Sequence, residues 1–257
     1  MIVLYLLAIL ISITLVFECG KLHYDNWIIH WTHVPGSLLD DYNELDYDIP
    51  RHVVMTGPGT YNELPRVIKD NIKHTMESYG NAWNNTDVQL HYYDDEDCRE
   101  IIERIYPKLL QYFNGEVRGD QKGDICRIMI LWDIGGYYFD TDMEVITPLI
   151  LDQNITLSTV RTSDHSFFQS FIAVTPKHII LKYAMDLMLQ YYQFTRSFRG
   201  PVGTSTFAAA WQQLKNHENE SILQEDYLNT AKFPDVKKRN IIEGYCNYIV
   251  HDHHQAY

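Results

Sequence analysis

The chain has 257 residues, 46% of them hydrophobic, and a formal net charge of −13 at pH 7. That charge excludes a nucleic-acid backbone as partner. The length suits one catalytic domain of roughly 200 residues plus an N-terminal extension.

Met1 to Phe17 carries no charged residue and is rich in Leu and Ile. It is at the short limit of the roughly 17–25 apolar residues that span a bilayer. Residues 1–20 are therefore expected to be a signal anchor, with a cleaved signal peptide as the alternative. Either sends the remainder into the secretory lumen, and the anchor reading gives a single-pass Golgi or endoplasmic reticulum protein with a lumenal catalytic domain. Three Asn-x-Ser/Thr sequons, at Asn84, Asn154 and Asn219, fit that compartment. Residues 21–48, with Asp40, Asp41, Glu44, Asp46 and Asp48, read as a polar stem, and 49–257 as the catalytic domain.

Within that domain, Arg51 to Met55 is a strand candidate. Pro65 suits the first turn of a helix running to Tyr79. Val88, Leu90 and Tyr92 alternate as a strand does. Asp94 and Asp95 can cap the next helix, which Pro107 breaks. Ile125, Ile128, Met129 and Trp132 form one apolar helical stripe, with Asp124, Arg127 and Leu131 on a neighbouring one. Gly135-Gly136 stops that helix. A short aromatic strand follows and ends in Asp140-Thr141-Asp142. Further on come a strand near Phe168 to Val174, helices from His178 to Tyr192 and from Thr204 to Lys215, and a last short strand at Asn247 to Val250. The alternation predicts an α/β fold with a mostly parallel sheet covered by helices.

Asp-x-Asp occurs three times, at Asp46/Asp48, Asp95/Asp97 and Asp140/Asp142. The first lies in a patternless acidic stretch and the second opens a helix, where acids serve the cap and dipole. Only the third sits at the C-terminal end of an apolar strand, where open α/β sheets bind ligands. Asp124 and Arg127 read either as a surface salt bridge or as side chains reaching a polar ligand held by the acidic pair. Cys98, Cys126 and Cys246 can supply one disulfide. Cys126, inside the site helix, reads as a small buried thiol.

The run Gly123-Asp124, Arg127, Leu131 and Gly135-Gly136-Tyr137-Tyr138-Phe139-Asp140-Thr141-Asp142 resembles the sugar-binding DXD region of glycosyltransferase family 32. Ile49-Pro50-Arg51-His52-Val53-Val54 resembles that family's opening strand, Ala173 to His178 a later strand-to-helix turn, and Gly200-Pro201 with Thr204 a helix-opening loop. Val250 to Tyr257 looks like the family's ending. A Trp usual after the first strand is replaced here by Met55-Thr56-Gly57-Pro58-Gly59, and the final aromatic is Tyr257 instead of Trp.

The resemblance implies a GT-A-like nucleotide-diphospho-sugar transferase fold. It also implies a retaining transfer of a hexose (mannose, galactose or related) from GDP-mannose or a UDP-hexose to a glycan or glycolipid acceptor. Asp140 and Asp142 would ligate Mn²⁺ or Mg²⁺, because hard carboxylates without thiolates select such ions. Asp124, Arg127, Tyr138 and Asp140 would hold the donor, with Asp140, Asp142 and Arg127 as the catalytic set. His253 would complete the metal shell or touch the diphosphate; on residues alone, His251, His253 and His254 read equally as a solvated tail. A lumenal sugar-binding pseudoenzyme and a metal-dependent phosphohydrolase are the other classes compatible with an acidic pair.

Overall fold

The computed structural model describes residues 48–84, 88–161, 167–194, 201–214, 220–226, 238–243 and 246–252. The expected anchor, most of the stem, the Asn219 sequon and His253 lie outside the described residues. Among the described residues no helix is long and apolar enough to cross a membrane.

Nine strands form one sheet: β1 (His52–Thr56), β2 (Gln89–Tyr93), β3 (Gly136–Phe139), β4 (Met143–Val145), β5 (Leu157–Arg161), β6 (Phe167–Val174), β7 (Glu220–Asp226), β8 (Lys238–Glu243) and β9 (Cys246–Asp252). Their order is β2-β1-β3-β6-β5-β7-β8-β9-β4. Helices α1 (Arg66–Ala82), α2 (Asp95–Ile105), α3 (Leu110–Gly115), α4 (Gly119–Ile134), α5 (Ile179–Gln193) and α6 (Val202–Gln213) flank it. The α/β class holds, but the sheet is mixed where the alternation predicted a mostly parallel one. The pairs β1–β2, β1–β3 and β5–β7 are parallel, and the other five are antiparallel. The reason is connection length. Residues 162–166 are too few for a crossover, so β5 and β6 pair as a hairpin, and β8 follows into β9 in the same way. Strands β4, β5, β7 and β8 have no clear period in the sequence and were not anticipated.

The central strands are apolar on both sides because both faces are covered. Val53, Met55, Tyr137, Phe139, Phe171 and Ala173 pack with Ile68, Ile72, Tyr79 and Trp83, the last just past the end of α1. Val54, Tyr138, Ile172 and Val174 face a larger cluster from α2, α4, α5 and α6. Helix α4 is consequently buried from Asp124 to Leu131 on all sides, not along one stripe. Asp94 caps α2 as expected, accepting from the amides of Glu96 and Asp97. The middle acidic triplet is absorbed there: Asp97 returns a bond to the Asp94 amide and Asp95 pairs with Lys122 at 2.7 Å.

Gly135 ends α4 at φ 64°, and Gly136 opens β3 at φ 102°. A side chain at Gly136 would run into the ring of His52 on the neighbouring strand, so the glycine pair sets both the helix stop and the entry angle of β3.

Cys126 is not a thiol. It is joined to Cys98, tying α2 to α4. The spacing alone could not select this pair; the packing of α2 on α4 does. Cross-linking a sequence separation of 28 residues stabilises by about 3–4 kcal/mol through the unfolded chain. The Cys98→Ala/Cys126→Ala double variant is expected to lose that amount in urea unfolding under oxidising conditions, and an unchanged midpoint would refute the estimate.

Candidate active site

Alternation along β3 puts Tyr138 and Asp140 on the face that receives α4. The ladder continues one residue past the strand, with the Asp140 amide donating to Ser170 O at 3.0 Å. Across from this lies an irregularity in β6. Thr159 pairs with Ile172 and Val160 with Phe168, so Gln169 to Phe171 fall out of register with β5, while Phe171 still pairs with Phe139 of β3. Bulges re-aim backbone groups beside functional sites. Here the bulge offers two successive carbonyls, Gln169 O to Arg127 and Ser170 O to Asp140.

Arg127 is the hub and is 5% exposed. Its Nε donates to Gly123 O at 3.1 Å and its Nη1 to Gln169 O at 2.6 Å. Its Nη2 lies 3.3 Å from Asp140 Oδ1 and 3.4 Å from Asp124 Oδ1. The guanidinium also stacks over the Tyr138 ring at 4.9 Å. The surface salt-bridge reading of Asp124 and Arg127 is therefore removed: the pair is a buried one. Tyr138 is completely buried. Its hydroxyl donates to Asp140 Oδ1 at 2.7 Å and takes a bond from Thr56 Oγ1 at 2.9 Å, so it supports the acidic pair from beneath.

Asp124, 8% exposed, accepts a bond from the Gly203 amide at 3.0 Å. Gly203 lies in the first turn of α6, within Gly200-Pro201-Val202-Gly203-Thr204. A Cβ there would overlap the Asp124 carboxyl group. The sequence-predicted residues Asp124, Arg127, Tyr138 and Asp140 thus form one cluster. Asp142 follows in the turn after Asp140, partly exposed, and its charge reaches Arg127. The Asp140 side chain is 26% exposed. Beyond the turn, Asn71 Nδ2 holds Thr141 O at 3.0 Å and Met143 O at 2.7 Å, and Met143 pairs with His251 of β9. Thr56, Asn71, Gln169 and Gly203 were not singled out as site residues from sequence. Only Gly203 had a signal, the glycine inside the helix-opening motif.

Burial pushes the Asp124 carboxyl up to about 6, against the pull of Arg127 and the Gly203 amide. Burial also lifts the Tyr138 hydroxyl well above its usual range and keeps it a neutral donor, although Arg127 opposes this. At the cap of α5, burial lowers His178 to about 4. These two groups tilt stability in opposite directions. Asp124 has a raised pKa, so its contribution is full below about pH 4 and is lost as pH rises through about 6, a change of roughly 3 kcal/mol. His178 has a lowered pKa, so its contribution is full above about pH 6.5 and is lost as pH falls through about 4. Relative to the parent between pH 4 and 7, Asp124→Asn is expected to lose more stability on acidification and His178→Asn less, the latter retaining a capping side chain. Parallel urea midpoints for all three proteins across this range would contradict both shifts.

The buried setting also corrects an expectation for Arg127. As a donor-positioning residue it predicts at least a tenfold loss of kcat/KM in Arg127→Lys. On sequence grounds the melting temperature should scarcely move. With a buried carbonyl, a half-buried one and two carboxylates to satisfy, lysine leaves acceptors unmet, and a cost of about 1–3 kcal/mol is expected in thermal unfolding. A melting temperature equal to the parent's would show that lysine replaces the fork.

The cluster is an acidic pair at a strand end, braced by an arginine and a third carboxylate from a buried helix. Residues 15–162 match the family described as the glycosyltransferase sugar-binding region containing DXD motif, and the chain belongs to that family. It is similar to inositol phosphoceramide mannosyltransferase 1 of Schizosaccharomyces pombe (strain 972 / ATCC 24843), with 26% identity over 165 residues, covering 59% of this chain and 50% of that protein. The chain thus spans about half the length of the curated relative it matches. Among solved structures it is similar to the PaToxG glycosyltransferase, with a TM-score of 0.47 and 21% identity over 65% of this chain and 69% of that one. It is also similar to the UDP-bound glycosyltransferase domain from the YGT toxin, with a TM-score of 0.32 and 15% identity over 50% and 39% of the two chains.

Proposed function

We propose that the chain transfers a hexosyl group, mannosyl first among those to test, from a nucleotide-diphosphate sugar to a glycan or glycolipid acceptor. The observation that carries this is the Asp140 carboxylate. Its Oδ1 is fixed by Tyr138 and Arg127, yet the group remains partly exposed beside Asp142. Two hard carboxylates fit Mn²⁺ or Mg²⁺. Among the described residues no three His, Cys, Asp or Glu side chains converge as a metal centre, so Asp140 and Asp142 would hold the ion together with diphosphate oxygens. Such an ion supplies electrostatic stabilisation of the leaving diphosphate. The chain's own residues orient the donor. Asp124 offers a carboxylate to sugar hydroxyls, and Arg127 keeps Asp124 and Asp140 in fixed relation. The name of the yeast relative makes inositol phosphoceramide the first acceptor to try, with GDP-mannose as donor. Retention of configuration, a role for His253 and anchoring in a Golgi or endoplasmic reticulum membrane by residues 1–20 belong to the same proposal.

The test is release of free nucleoside diphosphate from GDP-mannose, and separately from UDP-galactose, with Mn²⁺, with and without acceptor. Acceptor-dependent release supports transfer. Equal release without acceptor points to a hydrolase, and binding of both donors without release to a sugar-binding protein that has lost turnover.

A further inference from the structure

Gln169 carries an unexplained polar atom inside the site. It is 4% exposed, and its Oε1 has no hydrogen-bond partner among the described residues. The amide is not simply turned around, because its Nε2 donates to Gly203 O at 2.8 Å, and the reverse orientation would face two oxygens. A buried acceptor left unpaired costs as much as a lost hydrogen bond, and such groups in native proteins call for a cause.

The surroundings suggest the cause. Gln169 sits in the β6 bulge and closes a ring. Its main-chain oxygen binds Arg127, Arg127 faces Asp124, Asp124 accepts from the Gly203 amide, and Gly203 O accepts from the Gln169 side chain. The ring's donors that these bonds define are all spent on its own acceptors. Gln169 Oε1 is left over in the same ring that holds the Asp124 carboxylate. Acceptors in one ring of residues complement hydroxyl donors, which a hexose carries on most of its carbons. A diphosphate presents only acceptors; the base and ribose carry donors too, and GDP alone reports on those.

Resting on the functional reading above, we propose that Gln169 determines donor-sugar specificity: its Oε1 accepts a hydrogen bond from one hydroxyl of the transferred hexosyl, and Asp124 takes another. A site built to hydrogen-bond a substrate hydroxyl rejects the analogue that lacks it.

The experiment measures binding of GDP, GDP-mannose and the 2-, 3-, 4- and 6-deoxymannose analogues of GDP-mannose to the parent and to Gln169→Met in the presence of Mn²⁺. In the parent, two of the monodeoxy analogues are expected to bind at least tenfold more weakly than GDP-mannose. In Gln169→Met, GDP is expected to bind as in the parent, GDP-mannose about tenfold more weakly, and one of those two analogues with no further loss. Deoxy penalties identical in the two proteins overturn the assignment, as does an equal loss of GDP and GDP-mannose binding. If Gln169→Met fails to fold, the parent alone decides: an absence of penalty for every deoxy analogue overturns the proposal. Parent protein that binds neither GDP nor GDP-mannose overturns the functional reading itself, and this assignment with it.

Discussion

Asp140→Asn and Asp142→Asn are each expected to reduce sugar transfer by about three orders of magnitude, because a metal that stabilises the leaving diphosphate supplies several kcal/mol. The two variants should differ in stability. Asp142 lies in a partly exposed turn and acts on Arg127 only through its charge's reach, so its replacement should cost less than that of Asp140. Asp140 shares Oδ1 with Tyr138 and the buried Arg127, so neutralising it leaves Arg127 one countercharge short. A loss of roughly 1–3 kcal/mol is expected there. The matched control is Asp46→Asn with Asp48→Asn, which should be silent in both assays. Turnover near the parent's in either test variant at saturating Mn²⁺ would remove the metal assignment.

Gly203→Val should damage the enzyme without touching a charged residue. The new side chain occupies the position of the Asp124 carboxyl group. Either α6 shifts away from α4 or Asp124 rotates out, and in both cases the Gly203 amide loses its acceptor. Overpacking of this kind costs about 1–3 kcal/mol, and a displacement near 1 Å costs about a hundredfold in rate. Gly203→Ala should show the same sign with smaller size. Gly115→Ala is the control, since a Cβ there meets nothing within 4 Å, and it should be neutral or slightly stabilising. Full activity in Gly203→Val would mean that Asp124 need not stay where the structure puts it.

Much of the central fold could be read from residues. The apolar spacing of α4, the glycine pair and the aromatic strand locate the acidic pair, and Asp94, Pro107 and His178 mark helix ends close to where they fall. The parts that escaped share a cause: their signals are not local. Helix α4 looks one-sided because its polar residues, Asp124 and Arg127, are satisfied by segments far away in the chain. The β6 bulge has no sequence mark, since it arises from the pairing of Thr159 with Ile172 and Val160 with Phe168. Gln169 therefore looked like an ordinary strand residue. Cys126 was misread because a disulfide depends on how two helices pack.

The path of the chain after the acidic turn has a practical consequence. Strand β3 lies in the third place of the sheet, yet β4, which begins three residues after β3 ends, pairs with β9 at the opposite end of the order. Asp140 to Asp142 is thus a bridge between two parts of the sheet, moored on its far side to residues 246–252. A protease cut or a fusion that frees residues 246–252 is expected to slacken the bridge and lower activity, with Asp124, Arg127, Tyr138, Asp140 and Asp142 all still in the polypeptide.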